Sequence, residues 1–236
     1  MTAPTITDAV LAAVDDRARP LLTYYGPAQR VGLSGATLEN WAAKIANYLR
    51  DEAGLFPGDA VGVDAPEHWQ TAAVVLGAWW AGLRIEFGPA ADAEAARVVF
   101  VDRAGIDAHP DAEETVVLPL DPFAGRVPDL PAFAADFGDT VRPHGDHFSP
   151  GGAGPEAVPG RTVADVLAAA RQAAAAQGVA AGGRVLSARS WRTADDVIAH
   201  LLAPLAVGAA LVWADPAADP DLAAIAETEH TDLTLN

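Results

Sequence analysis

The residues whose types and spacing come nearest to a chemical site are Ser149, Gly151, Gly152 and Gly154, within the stretch Phe148-Ser-Pro-Gly-Gly-Ala-Gly-Pro-Glu-Ala-Val-Pro-Gly160. A glycine-rich loop running into a helix can hold a phosphate. Glycine lets backbone N–H groups point at the anion, and the helix that follows adds the positive end of its dipole. Loops that do this usually add Ser or Thr hydroxyls and a lysine that meets the phosphate charge. Here Ser149 is the only hydroxyl before Thr162, and the stretch contains no lysine. The four residues therefore read as a vestigial phosphate loop, with the backbone of a nucleotide site but not its chemistry.

Two other constellations carry less. His144-Gly-Asp-His147 places two imidazoles and a carboxylate within four positions. No further ligand is indicated and both flanks read as loop, so an exposed polar loop is expected rather than a metal centre. Lys44 is the only lysine of the chain, so any mechanism requiring a lysine must use it. It falls beside the apolar stripe of a helix and reads as a solvated surface residue. No catalytic residue, metal or cofactor is assigned.

Composition narrows the function classes. A chain of 236 residues, 51% of them hydrophobic, can bury a substantial core. With no cysteine, disulfides and thiolate metal sites are excluded, and any nucleophile must be an oxygen or a nitrogen. A net charge of −17 repels nucleic-acid phosphates and anionic membranes. No apolar run approaches the roughly 18 residues of a membrane span. No secretory signal is read at Met1–Asp8, which has no basic segment. A cytoplasmic protein with no nucleic-acid or membrane partner is expected.

The elements that must position these residues read as alternating helix and strand. A short helix over 6–17 opens the chain. A hairpin follows at Leu21–Tyr25 and Gln29–Leu33, then a helix capped by Thr37 and ended by Gly54. After a strand at Ala60–Val63, a helix from Glu67 to Ala81 is apolar nearly all round and so buried on more than one side. Its Trp79 and Trp80 read as core. Strands at Leu83–Phe87 and Arg97–Val101 flank a helical turn at Ala91–Ala96. The Pro-, Gly- and Asp-rich stretch 102–160 reads as a connector, with one strand at Thr115–Leu118 and a short helix at Leu130–Phe137. Beyond it come a helix at Thr162–Gln177, a strand at Arg184–Ala188, a helix at Thr193–Val207, a strand at Ala210–Ala214, a helix at Asp219–Glu229 and a strand at Leu233–Leu235. This alternation argues for an α/β fold with parallel pairing.

The second half repeats the first. Thr37 and Thr162 are 125 residues apart, Gly54 and Gly178 124, Gly58 and Gly182 124, Gly82 and Gly208 126, and Pro89 and Pro216 127. Five landmarks that agree within three residues point to an internal duplication. The expected architecture is a single domain over 1–236. It holds a first α/β unit over 34–101, a connector with the glycine-rich loop over 102–160, and a second unit over 161–236, both mostly parallel sheet-and-helix.

The chain resembles the adenylate-forming superfamily: acyl- and aryl-CoA synthetases, luciferases and nonribosomal peptide adenylation domains. The resemblance is carried by Ala36-Thr-Leu-Glu-Asn-Trp, Leu55-Phe-Pro-Gly-Asp-Ala-Val-Gly-Val and Thr71-Ala-Ala-Val-Val-Leu-Gly-Ala-Trp-Trp-Ala-Gly82. In the second unit it is carried by Arg184-Val-Leu-Ser and Leu201-Leu-Ala-Pro-Leu-Ala-Val-Gly-Ala-Ala-Leu-Val-Trp213. It covers nearly all of the chain, as the N-terminal part of the family. The Ala- and Arg-rich, Lys-poor composition suits short actinobacterial relatives.

The resemblance implies an AMP-binding fold whose phosphate loop ends in Pro-Lys-Gly. The counterpart here puts Glu156 or Ala157 near the lysine position, and Glu156 would set a negative charge where ATP carries its own. The sequence also ends before the family's Tyr-Gly-x-Thr-Glu segment, its ribose-binding aspartate and its C-terminal domain. The expected function is a non-catalytic remnant acting as a binding or interaction protein, present as a homodimer or with a protein partner. The alternatives are half of a split adenylate-forming ligase, or an enzyme with a reorganised acyl or nucleotide site.

Overall fold

The alternating pattern folds into two five-stranded sheets. The structure is a computed structural model that describes residues 4–27, 29–89 and 96–236. The chain divides into two compact units: one holds residues 39–163 with the segment ending at Thr7, the other holds Asp8–Leu38 and Ala164–Asn236. In chain order the elements are α1 (Ile6–Ala13), β1 (Pro20–Gly26), β2 (Gln29–Ser34), α2 (Gly35–Asn47), β3 (Ala60–Asp64), α3 (Trp69–Trp80), β4 (Arg84–Phe87), β5 (Ala96–Val101), β6 (Glu114–Val117), β7 (Ala134–Asp136), α4 (Phe137–Val141), α5 (Val163–Gln177), β8 (Arg184–Ser187), α6 (Ala194–Asp196), α7 (Ala203–Leu205), β9 (Ala210–Ala214), α8 (Leu222–Glu229) and β10 (Leu233–Leu235). Tyr48–Glu52 prolongs α2 as a π-helical turn, and Val197–Leu202 joins α6 to α7 in the same form.

In the first unit the sheet order is β4-β3-β5-β6-β7, parallel throughout. Its central strands β3 and β5 are mostly apolar and buried, as expected where both faces are covered. All twelve residues of α3 are buried, in line with its lack of a polar face. Ile45 of α2 packs onto α3 at Gly77, where an added Cβ would lie 2.7 Å from the Ile45 side chain. Trp41 packs against Trp69 and Phe137.

In the second unit the order is β10-β8-β9-β1-β2, parallel except for the antiparallel β1–β2 hairpin. Val185, Ala203, Ala209 and Leu235 form part of one apolar cluster, and Leu186, Val212 and Ala214 form another beneath Leu222 and Ile225 of α8.

The duplication is visible in the strand order. β3 lies between β4 and β5, and β8 lies between β9 and β10, so the repeated strands occupy the same places. The landmark glycines match as well, all in the left-handed region: Gly54 and Gly178 at φ +66° and +76°, Gly58 and Gly182 at +100° and +67°, Gly82 and Gly208 at +80° and +71°. The sheets grow at opposite ends of this shared core. Beyond β5 the first adds β6 and β7, and beyond β9 the second adds β1 and β2.

The boundaries therefore differ from those read in the sequence. The stretch 102–160 supplies two strands of the first sheet, and the hairpin near the N-terminus belongs with the second. Smaller differences have local causes. The first helix stops at Ala13, because Asp16 turns the chain by accepting from the Ala18 amide at 2.9 Å. Ser34, rather than Thr37, caps α2 by accepting from the Thr37 amide at 3.1 Å. Residues 130–137 form a turn, then β7 and the start of α4, since Asp136 accepts from the amides of both Val127 and Asp139 and so begins a helix there. The helical turn expected at Ala91–Ala96 lies outside the described residues, apart from Ala96 itself, which starts β5.

Candidate functional site

The glycine-rich loop lies entirely in the first unit and runs along the open side of β4. The Ala157 carbonyl accepts from the amide of Ile85 in β4 at 3.0 Å and from Trp79 Nε1 at 3.0 Å, while the Ala157 amide donates to the Arg161 carbonyl at 2.8 Å. The Gly154 amide donates to the Gly82 carbonyl at 3.1 Å, and Gly58 donates to that same oxygen at 3.0 Å. In the second unit the matching neighbour of β9 is β1. The loop thus occupies a strand's place and shields a sheet edge that would otherwise be left unpaired.

Each predicted loop residue can be placed. Ser149 is exposed, and its carbonyl accepts from Arg50 Nη1 at 3.4 Å. Gly151 is exposed, and an added Cβ would meet only Pro57 Cγ at 3.9 Å. Gly152 is buried with φ +116°. A Cβ on Gly154 would lie 2.5 Å from the Gly58 nitrogen and 2.6 Å from the Gly82 oxygen. The loop is therefore glycine-rich at Gly154 because three backbone segments meet there. Glu156 sits 3.7 Å from Arg84, which also pairs with Glu86 at 3.0 Å. Before the loop, Phe148 packs on Trp80 and beneath the Arg50 guanidinium.

The histidine-rich segment is held by the single lysine. Lys44 Nζ donates to the carbonyls of His144 at 2.6 Å and Arg142 at 3.2 Å and pairs with Asp146 at 2.7 Å. Only 21% of its side chain is exposed, so the expectation of a solvated lysine is corrected. Asn47 adds bonds to the carbonyls of Gly145 and His147, and His144 meets Glu52 at 3.0 Å. Among the described residues no group of three metal-ligating side chains is assembled.

A second cluster has no signature in the sequence. In the second unit Glu229, with 4% of its side chain exposed, ends α8 and accepts from Tyr25 Oη at 2.6 Å, from Arg30 Nε at 2.8 Å and Nη2 at 2.7 Å, and from Arg184 Nη2. Burial alone would raise this carboxyl, but the hydrogen bonds from Tyr25, Arg30 and Arg184 outweigh it and hold it below its ordinary value. Burial and the neighbouring carboxylate push the Tyr25 phenol up. The cluster borders a cleft of about 430 Å³ at the N-terminal ends of β1, β8 and β9. No local motif could have revealed it, because its members lie up to 204 residues apart.

No family model matches the sequence. A protein of Mycobacterium tuberculosis (strain ATCC 25618 / H37Rv), named as a TIGR03089 family protein, is 41% identical over 232 residues, which is 94% of this chain and 93% of that protein. The chain belongs to the TIGR03089 family.

Solved structures place this TIGR03089 protein's fold. It matches an acyl-CoA synthetase of Brucella canis with a TM-score of 0.78 at 18% identity, over 99% of the chain and 47% of that one. It matches acetoacetyl-CoA synthetase of Streptomyces lividans at 0.77 and 17% identity, over 98% and 42%, and apo MatB of Rhodopseudomonas palustris at 0.73 and 15%, over 100% and 49%. The chain spans about half the length of these structures. Its fold is that of the N-terminal part of adenylate-forming acyl-CoA synthetases, as the sequence resemblance implies. No helix among the described residues is long and apolar enough to cross a membrane.

Proposed function

We propose that this TIGR03089 protein is a non-catalytic binding or interaction protein built on an acyl-CoA synthetase fold. The observation that carries this reading is the commitment of the Gly154 amide to the Gly82 carbonyl, in a loop whose neighbouring Glu156 is paired to Arg84. A phosphate cradle needs free N–H donors and a cation. This loop spends donors on its own fold and carries a carboxylate close to where the cation would stand. The protein acts through contacts with a second copy or another protein, as an adaptor whose ancestral loop has become a structural clasp.

Pyrophosphate exchange into ATP, run across a panel of fatty and aryl acids, tests the reading. It predicts no exchange above a protein-free control. Exchange with any acid would replace it with the competing reading, an enzyme with a reorganised acyl or nucleotide site. Light scattering after size exclusion tests the partner half, with a dimer expected for self-association.

A further inference from the structure

The cleft in the second unit has walls of both charge signs. Its inner charged side chains have protein partners. Glu229 is shared by Arg30 and Arg184, and Asp232 accepts from the Arg184 amide at 2.7 Å. Its outer charges do not. Asp15 and Arg19 line the same cleft, both exposed, and neither side chain makes an ion pair or hydrogen bond among the described residues.

The segment bearing them is fixed in advance. Asp16 accepts from the Ala18 amide at 2.9 Å, Gly35 donates to the Arg19 carbonyl at 3.1 Å, and Ala36 donates to the Arg17 carbonyl at 2.9 Å. A ligand meeting Asp15 and Arg19 would not have to order that backbone, which lowers the cost of binding. Gly182, Gly183 and Gly208 contribute backbone alone to the lining, and about 430 Å³ is in the size range of small-molecule sites.

From these features we infer that the cleft binds a small zwitterion of the amino-acid type, with its carboxylate toward Arg19 and the outer face of Arg30 and its ammonium toward Asp15. Arg30 has room for this, since half of its side chain is exposed despite its bond to Glu229. A polyanion such as a nucleotide would meet Asp15, Asp16 and Asp232, and a polycation would meet three arginines. A net charge of −17 further disfavours ligands that are anionic overall. The site lies wholly in the second unit, whereas the glycine loop lies in the first, so the inference stands whether or not that loop binds nucleotide.

The test is titration of the full chain by amide-resolved NMR with glycine, β-alanine and 4-aminobutyrate, using propionate and propylamine as single-charge controls. At least one zwitterion should give saturable shifts at Gly182, Gly183 and Gly208, with an affinity at least about tenfold above either control. Asp15→Asn and Arg19→Gln, both at exposed positions outside the Glu229 cluster, should each weaken that binding by at least about tenfold. Absence of saturation with every zwitterion, equal affinity for a control, or unchanged binding by both variants would overturn the inference.

Discussion

The amide of Gly154 donates to the carbonyl of Gly82 at 3.1 Å, and the amide of Gly58 donates to the same oxygen at 3.0 Å. One acceptor thus ties the glycine-rich loop to the turn before β3 and the turn after α3. These backbones approach so closely that a methyl group has no room. The glycine content which suggests anion binding in the sequence serves close packing at this point.

Gly154→Ala should therefore destabilise the first unit by about 1–3 kcal/mol, the usual cost of forcing extra atoms into a packed region. Gly151→Ala should be close to neutral, because its added methyl meets only Pro57 at ordinary contact distance. Urea denaturation of the two variants measures the contrast. Equal stability would argue that the loop is not a clasp.

Glu229→Gln should cost about 2–3 kcal/mol. That is below the usual figure for breaking a fully buried pair because Arg30 is half exposed. The wild-type advantage should depend on pH. The folded carboxyl titrates below its ordinary value of 4.5, so its contribution is fully present above that value and is lost as the pH falls through the lower folded value. Denaturation curves of both proteins should converge in acid. A gap that persists there would contradict the assignment.

Much of the fold was legible because strands such as Arg97–Val101 and helices such as Trp69–Trp80 carry strong local patterns, and the glycine landmarks repeat at one period. The mates of those strands were less legible. Ala134–Asp136 is too short to show a period, and the place of Pro20–Ser34 in the second sheet depends on a parallel pairing of Leu22 with Leu211, which no local signal encodes. The loop at Ser149–Gly154 is legible as a glycine-rich stretch, but its use is not, since the acceptor at Gly82 is distant in sequence. The Glu229 cluster was invisible for the same reason.

Lys44→Met should release the segment it clamps. Loss of a charged donor to two carbonyls and of the Asp146 pair should cost about 1–2 kcal/mol. Hydrogen exchange should speed up for amides of residues 142–148 more than for β3 or β5. Unchanged exchange there would return Lys44 to the status of a surface residue.

His68 is buried at the start of α3, where its Nδ1 accepts from the Gln70 amide, and burial lowers its pKa from 6.5 to about 3. It should stay neutral through the range where exposed imidazoles titrate. As the pH falls below 6.5 the unfolded chain takes up a proton that the folded chain refuses until about 3, so this group removes stability across that window. His68→Asn keeps a side-chain acceptor at the cap and should flatten that part of the stability curve. An NMR midpoint for His68 near 6.5 would contradict the burial argument.

Amide-resolved NMR of the full chain titrated with MgATP distinguishes a glycine loop that is a clasp from one that is a phosphate cradle. The amide signals of Ser149, Gly151, Gly152, Gly154 and Glu156 should not move in a saturable way. Saturable shifts centred on those residues would contradict the clasp and restore the loop as a nucleotide site.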